Sequence, residues 1–223
     1  MKEGWELSAQ PFVLVIAMKT VTAIEAQKRG GDRVNVFLDG AFAFSLEMDV
    51  VAEKGLRLGQ ALSPWQIEEL ERADLFHKCF KAALRLLSYR PRSEAEIRVR
   101  LRPRFEPETM DRVLLRLKER RLVDDTAFAQ FWRENRESFS PRSKRLLKLE
   151  LRRKGIEAGL AEEAVGGIDD EESALRAAQG RLRPLAQEDY ETFRRKLFAF
   201  LRRRGFSYEV AERTVQRLWQ EAR

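Results

Sequence analysis

Three leucines, Leu101, Leu151 and Leu201, stand fifty residues apart, and each is followed by a basic cluster and a second apolar helical pattern. The copies read Leu101-Arg102-Pro103-Arg104, Leu151-Arg152-Arg153-Lys154-Gly155-Ile156 and Leu201-Arg202-Arg203-Arg204-Gly205-Phe206. Counted from Phe105, Ile156 and Phe206, apolar residues recur nine positions on at Leu114, Val165 and Val215, and twelve on at Leu117, Ile168 and Leu218. A unit near fifty residues holds about three short helices and buries little core alone, so stacked helical repeats are the expected architecture.

The middle helix of each unit carries most of the information. Setting 94–104 against 144–154 and 194–204 without gaps aligns Ile97, Leu147 and Leu197, four residues before the founding leucines, which gives each helix an inward stripe. Outside that stripe Arg102, Arg152 and Arg202 align, as do Arg104, Lys154 and Arg204. In the second unit Lys144, Lys148 and Arg152 fall at i, i+4 and i+8 as one basic ridge with Arg145 beside it, and the third adds Arg194, Arg195 and Lys196. A solvated face is the plainer explanation for any one such helix. Repetition in three units, with Glu150 the one acid inside 141–154 and none inside 194–204, points instead to a polyanion partner. The aromatics Phe128, Phe131, Trp132, Phe193 and Phe200 have helical spacing and are expected in the core rather than as base-stacking platforms; Phe198, aligned with Arg98 and Lys148, is the exception.

Charge is divided unevenly along the chain. Residues 1–73 carry 8 basic and 11 acidic side chains, leaving 35 basic against 25 acidic for the remainder. With 35% charged and 43% hydrophobic residues the composition is that of a folded globular protein. A single cysteine, Cys79, excludes an internal disulfide and suits a reducing compartment, so the cytoplasm is expected. His77-x-Cys79 has no second ligand pair near it, and no metal or cofactor is expected. No apolar run approaches the roughly 18 residues of a membrane span. Glu3 and Glu6 argue against a signal peptide. Residues 1–17 read as an N-terminal extension with a capacity for disorder, and Met18 as a candidate natural start. No P-loop, G-x-S-x-G or His-rich metal set supports an enzyme.

Residues 18–62 read as a small β-rich domain. Arg29-Gly30-Gly31-Asp32 is an expected turn, and Asp39-Gly40 between two apolar runs predicts a type I′ hairpin. In a regular register Phe37, Phe42 and Phe44 share one face and Val34, Val36 and Leu38 the other; a short helix from Glu47 to Lys54, ended by Gly55, is the candidate cover. Ser63-Pro64-Trp65-Gln66 predicts a helix start in capping-box spacing. The pairs Asp124-Asp125 and Asp169-Asp170 are expected to cap helices rather than hold metal. Three helical repeats then occupy 63–123, 124–168 and 169–223.

This constellation resembles the RecX family of RecA recombinase regulators. The resemblance lies in Ser93-x-x-Glu96-Ile97 leading to Leu101, in Leu117 through Arg121-Leu122-Val123-Asp124-Asp125 to Phe128-Ala129, in Glu150-Leu151-Arg152-Arg153-Lys154-Gly155-Ile156, and in Arg203-Arg204-Gly205-Phe206. It covers roughly residues 74–223, and the β-segment is similar to the extension of some members. The resemblance implies a mainly α fold, three tandem three-helix repeats in an elongated curved array behind a small β-hairpin or meander domain. It implies a monomer without catalytic activity that binds the RecA filament on single-stranded DNA, and possible contact with duplex, and limits strand exchange and ATP hydrolysis, within recombination, DNA repair and the SOS response. Carried onto this chain, Arg102, Arg104, Lys144, Arg145, Lys148, Arg152, Lys154, Arg194, Arg195, Arg202 and Arg204 would face filament or DNA. The first unit departs from the pattern: it lacks the glycine of Lys154-Gly155 and Arg204-Gly205, has Pro103, and carries Glu94 where the others have Lys144 and Arg194. A transcription-factor-like helical DNA-binding protein, acting without RecA, is the alternative.

Overall fold

A computed structural model of the chain describes residues 17–27 and 31–221; residues 1–16 of the expected extension and part of the turn around Gly30 lie outside the described residues. Strands β1 (Lys19–Ala26), β2 (Arg33–Leu38) and β3 (Ala41–Glu47) lead into helix α1 (Met48–Lys54) and the short strand β4 (Ala61–Leu62). The helices α2 (Pro64–Tyr89), α3 (Glu94–Leu101), α4 (Pro107–Glu119), α5 (Asp125–Phe139), α6 (Lys144–Arg153), α7 (Ala158–Val165), α8 (Asp170–Leu182), α9 (Tyr190–Arg203) and α10 (Tyr208–Glu221) follow. The chain divides into two compact units, one through Phe80 and one from Lys81.

In the first unit an antiparallel sheet runs in the order β3-β2-β1-β4. Asp39 and Gly40 both take positive φ, 52° and 84°, as a type I′ turn requires. The expected facing of the phenylalanines needs correction. Val36 pairs with Phe44 but Phe37 pairs with Phe42, so Ala43 is an extra residue in β3. This bulge breaks the alternation of side chains, turning Phe44 inward with Val36 and Leu46 while Phe42 stays exposed against Phe37. Val50 of α1 and Leu70 of α2 cover the inward face, α1 ending at Gly55 in the left-handed conformation. Ser63 and Gln66 form the reciprocal capping box: the Ser63 N–H donates to Gln66 Oε1 at 2.8 Å and the Gln66 N–H to Ser63 Oγ at 3.3 Å. Asp74, almost fully buried, accepts from the Glu47 N–H at 2.9 Å and from Arg33, and pairs with Lys78 at 2.6 Å. Burial works against its ionisation, yet these donors hold its carboxyl below the usual range.

In the second unit the fifty-residue period becomes three three-helix modules. Ile97, Leu147 and Leu197 are 0–1% exposed and Leu101, Leu151 and Leu201 are 0–3% exposed, so the inward stripe of α3, α6 and α9 is core in all three. The residues nine positions beyond Phe105, Ile156 and Phe206 are equally buried. Each aspartate pair divides its work. Asp124 and Asp169 cap their own helices, accepting from Thr126 and Ala127 and from Glu171 and Glu172. Asp125 and Asp170 instead reach across to the first N–H of the middle helix before them, Glu94 at 2.9 Å and Lys144 at 2.7 Å. One acid therefore starts a helix and its neighbour ties that helix to the preceding module.

The modules meet through a repeated joint. Gly155 and Gly205 have φ of 83° and 90°, the left-handed end of α6 and α9. A Cβ on Gly155 would stand 2.2 Å from the Ala95 Cβ, and one on Gly205 would stand 2.6 Å from Ser143 Oγ. Each glycine thus presses onto the start of the previous module's middle helix. Ser93 Oγ donates to the Lys154 carbonyl at 2.6 Å, and the Ser143 N–H donates to the Arg204 carbonyl at 3.1 Å. The first module has no predecessor to dock on, which accounts for its missing glycine. The third departs at the other end: α9 begins at Tyr190, and Phe193, 2% exposed against Trp219, stands where the others have Ser93 and Ser143.

Candidate polyanion interface

The expected site residues fall into three groups. Lys154 and Arg204 belong to the joints. Lys154 pairs with Glu96 at 2.7 Å and lies 3.9 Å from the Trp132 ring centroid; Arg204 donates to Ser140 Oγ at 3.0 Å and to the Pro141 carbonyl at 2.9 Å, over the Phe200 ring. Burial, then the neighbouring Arg181 and Arg136, pull the Arg204 guanidinium below its ordinary range.

The second group is the predicted ridge, and its members have internal partners. Lys144 Nζ donates to the Gly166 carbonyl at 3.3 Å, at the end of α7, and Lys148 pairs with Glu162. Arg152 and Arg202 make the same bond in successive modules, donating to the carbonyls of Ile156 at 3.1 Å and Phe206 at 2.7 Å. Arg194 grips Glu212 with two nitrogens, at 2.9 and 3.1 Å. The acids are themselves periodic. Asp111, Glu162 and Glu212 each stand six residues beyond Phe105, Ile156 and Phe206, and each receives a cation from its middle helix, Asp111 from Arg98 at 2.5 Å. In the third module Phe198 fills the place of Arg98 and Lys148, packs edge-on against Tyr208, and leaves Arg194 to reach the acid from one turn earlier.

The third group is exposed and unpaired. Arg145 and Arg195 align, lie in solvent, and have no partner among the described residues. The same holds for Arg153 and Arg203, which are not among the residues that the resemblance points to. Arg145, Leu149 and Arg153 on α6, and Arg195, Ala199 and Arg203 on α9, form i, i+4, i+8 stripes, one residue and about 100° around from the ridge. Arg195 and Arg203 also line a groove of about 530 Å³ with Arg181, Lys196, Leu185 and Phe200. In the first module Arg102 and Arg104 are exposed beyond the end of α3, Arg104 near the Phe105 ring. The periodic acids, six residues beyond Ile156 and Phe206, were the sequence signal that Lys148 and Arg194 are paired; the carbonyl bonds of Lys144, Arg152 and Arg202 carry no such mark.

Of the expected core aromatics, Phe128, Phe193 and Phe200 are buried. Trp132 is half-buried between Lys154 and Arg136 and donates its Nε1–H to Glu150 at 3.0 Å. Cys79 is buried, which pushes its thiol up to about 11, and His77 shares a 3.0 Å hydrogen bond with Glu53. Ligand atoms of Glu47, Asp49 and His77 come within 4.8 Å of one another, but both carboxylates have other interactions. No helix of the described residues is long and apolar enough to cross a membrane.

Three-helix modules in tandem, joined glycine to helix start behind a small antiparallel sheet, place the chain among modular helical-repeat proteins. Comparison with known proteins names the group. The model of the regulatory protein RecX N-terminal domain matches residues 19–63, and the models of the first, second and third RecX three-helix domains match 79–117, 124–165 and 169–215. Regulatory protein RecX of Clostridium perfringens is 30% identical over 207 residues, covering 90% of this chain and 97% of the relative. That of Bacillus licheniformis is 32% identical over 203 residues, with 89% and 77% covered. A crystal structure of regulatory protein RecX superposes with a TM-score of 0.65 at 28% identity, covering 87% of this chain and 97% of that one. RecX from Lactobacillus salivarius gives 0.56 at 26%, with 66% and 99% covered. The chain belongs to the RecX family of regulatory proteins.

Proposed function

We propose that this protein binds the RecA filament on single-stranded DNA and restrains its ATP hydrolysis and strand exchange, as a monomeric cytoplasmic protein without catalysis or cofactor. The observation that carries this is the recurrence of unpaired arginines at matching positions of successive modules, Arg145 with Arg195 and Arg153 with Arg203. Unpaired guanidinium groups cost little to bring to phosphate or carboxylate, because no internal bond must break first. Lys148 and Arg194 form a second rank. Solvent-screened ion pairs at a surface are weak, so an incoming anion can replace Glu162 or Glu212. Arg102 and Arg104 extend the same basic surface, whereas Lys144, Arg152 and Arg202 are bonded to backbone carbonyls and Lys154 and Arg204 belong to the joints. Duplex DNA presents phosphates too and is a further candidate partner of the same surface.

The test is RecA ATPase on single-stranded DNA across a titration of this protein. The rate should fall at amounts well below one per recombinase subunit if filament ends are capped, or near a fixed ratio if the groove is coated. An unchanged rate, together with sequence-specific duplex binding in the absence of RecA, would favour the transcription-factor-like alternative.

A further inference from the structure

The first joint holds a concentration of charge that its own architecture leaves unbalanced. A cleft of about 340 Å³ opens between the start of α3 and the end of α6. Arg90, Arg92 and Arg100 line it from the first module, and Arg152, Arg153 and Lys154 from the second. Glu96 is the one carboxylate among the lining residues, and it is already shared: Arg90 donates to it at 2.9 and 3.0 Å and Lys154 at 2.7 Å. Burial works to raise its pKa, but these two cations hold it at about 2, so it offers no further charge to the other four. Arg92 is pulled below its ordinary range by burial and by Arg90 and Arg100. Arg100 and Arg153 have no partner among the described residues.

The second joint resolves the same problem internally. Glu150 stands where the first joint has Arg100, and it accepts from Arg136 at 2.9 Å, from Arg142 and from Trp132. An arginine in that place at the first joint adds a like charge where the other module has a counterion. Like charges gathered in a concave site raise the local potential and cost stability unless an anion arrives.

We propose that the cleft between the first and second modules is a phosphodiester-binding site, in which a single-stranded nucleic-acid backbone bridges Arg100 and Arg153 and locks the two modules together. The proposal rests on the polyanion reading above and assigns one component of it, nucleic acid rather than protein, to one place. Five of the six cations are arginines, whose planar forks suit phosphate oxygens. A chain of phosphates delivers several charges to one cleft, as a lone carboxylate cannot. Val99, 71% exposed, and Ala95 offer a small apolar wall for the sugar.

The experiment compares the full-length protein with Arg100→Gln/Arg153→Gln, and with Lys19→Gln/Arg57→Gln as a control of equal charge loss, on a fluorescent oligo(dT) without recombinase. The Arg100/Arg153 variant should bind at least about tenfold more weakly, since charge-assisted bonds are lost. Its log–log salt slope should flatten by up to about 1.4, or roughly 0.7 per lost phosphate contact. The control should change far less. Melting of the variant should be no lower than wild type, because like-charge repulsion is relieved, and the wild type alone should gain stability from inorganic pyrophosphate at matched ionic strength. Oligo(dT) affinity and slope equal to the control would overturn the proposal. So would unchanged oligo(dT) binding with lost RecA inhibition, which would assign the cleft to an acidic protein surface. The recombinase assay keeps the two readings apart: a wild type inert toward RecA whose variant still loses oligo(dT) removes the proposed function and keeps the cleft.

Discussion

Gly155 carries two constraints at once, a left-handed backbone and contact with Ala95, and neither tolerates a side chain. At φ 83° an alanine is strained, and its Cβ would fall 2.2 Å from that of Ala95, which is anchored directly to α3 and has no flexible end to swing away. Gly155→Ala should therefore destabilise the protein by about 2–4 kcal/mol, combining the backbone penalty with overpacking. Thermal unfolding followed by circular dichroism checks it. The companion Gly59→Ala, with positive φ but open space around it, should cost only the backbone share. A Gly155→Ala loss no larger than that of Gly59→Ala would show that the joint yields freely. The sequence displayed this residue as part of a motif, but not its reason, because Ala95 lies sixty positions away.

Among the elements, the middle helices were the most legible and the sheet the least. A buried stripe at i, i+4 recurring every fifty residues is a local pattern, and α3, α6 and α9 follow it. The hairpin turn was legible for the same reason. The bulge at Ala43 was not, since an extra residue in a strand changes the facing of Phe44 without changing composition. The partners of the ridge were not legible for a related reason: Lys144, Lys148 and Arg152 do share a side of α6, but the groups they bond arrive from α7 and from the turn beyond Gly155. Helix starts gave a sharper outcome, in that both aspartate pairs cap and the second member of each also links modules. Asp125→Ala and Asp170→Ala should each lower stability by about 1 kcal/mol, within the 0.5–2 kcal/mol range of lost caps, and by similar amounts. Chemical denaturation of the two variants measures this; a loss at one site alone would break the equivalence of the modules.

At the scale of the molecule the question is which cations are available. Lys144→Ala/Lys148→Ala/Arg152→Ala removes charge from residues bonded internally, whereas Arg145→Ala/Arg153→Ala/Arg195→Ala removes it from residues with none. Alanine is the best helix former and surface changes usually stay within about 0.5 kcal/mol each, so both triples should remain folded. The second triple should lose more affinity for the RecA–DNA filament than the first, measured at one salt concentration by titrating each into the ATPase assay. Equal losses would mean that net charge matters and position does not.

The glycine joints also set how long the array can be. Every coupling needs a plug, the glycine ending a middle helix, and a socket, the serine start of the helix before it. The first module has no plug, and in the third Phe193 and an added helical turn fill the place of the socket. Two copies of this chain thus present each other with mismatched ends, and the contact that holds one molecule together cannot propagate from one molecule to the next.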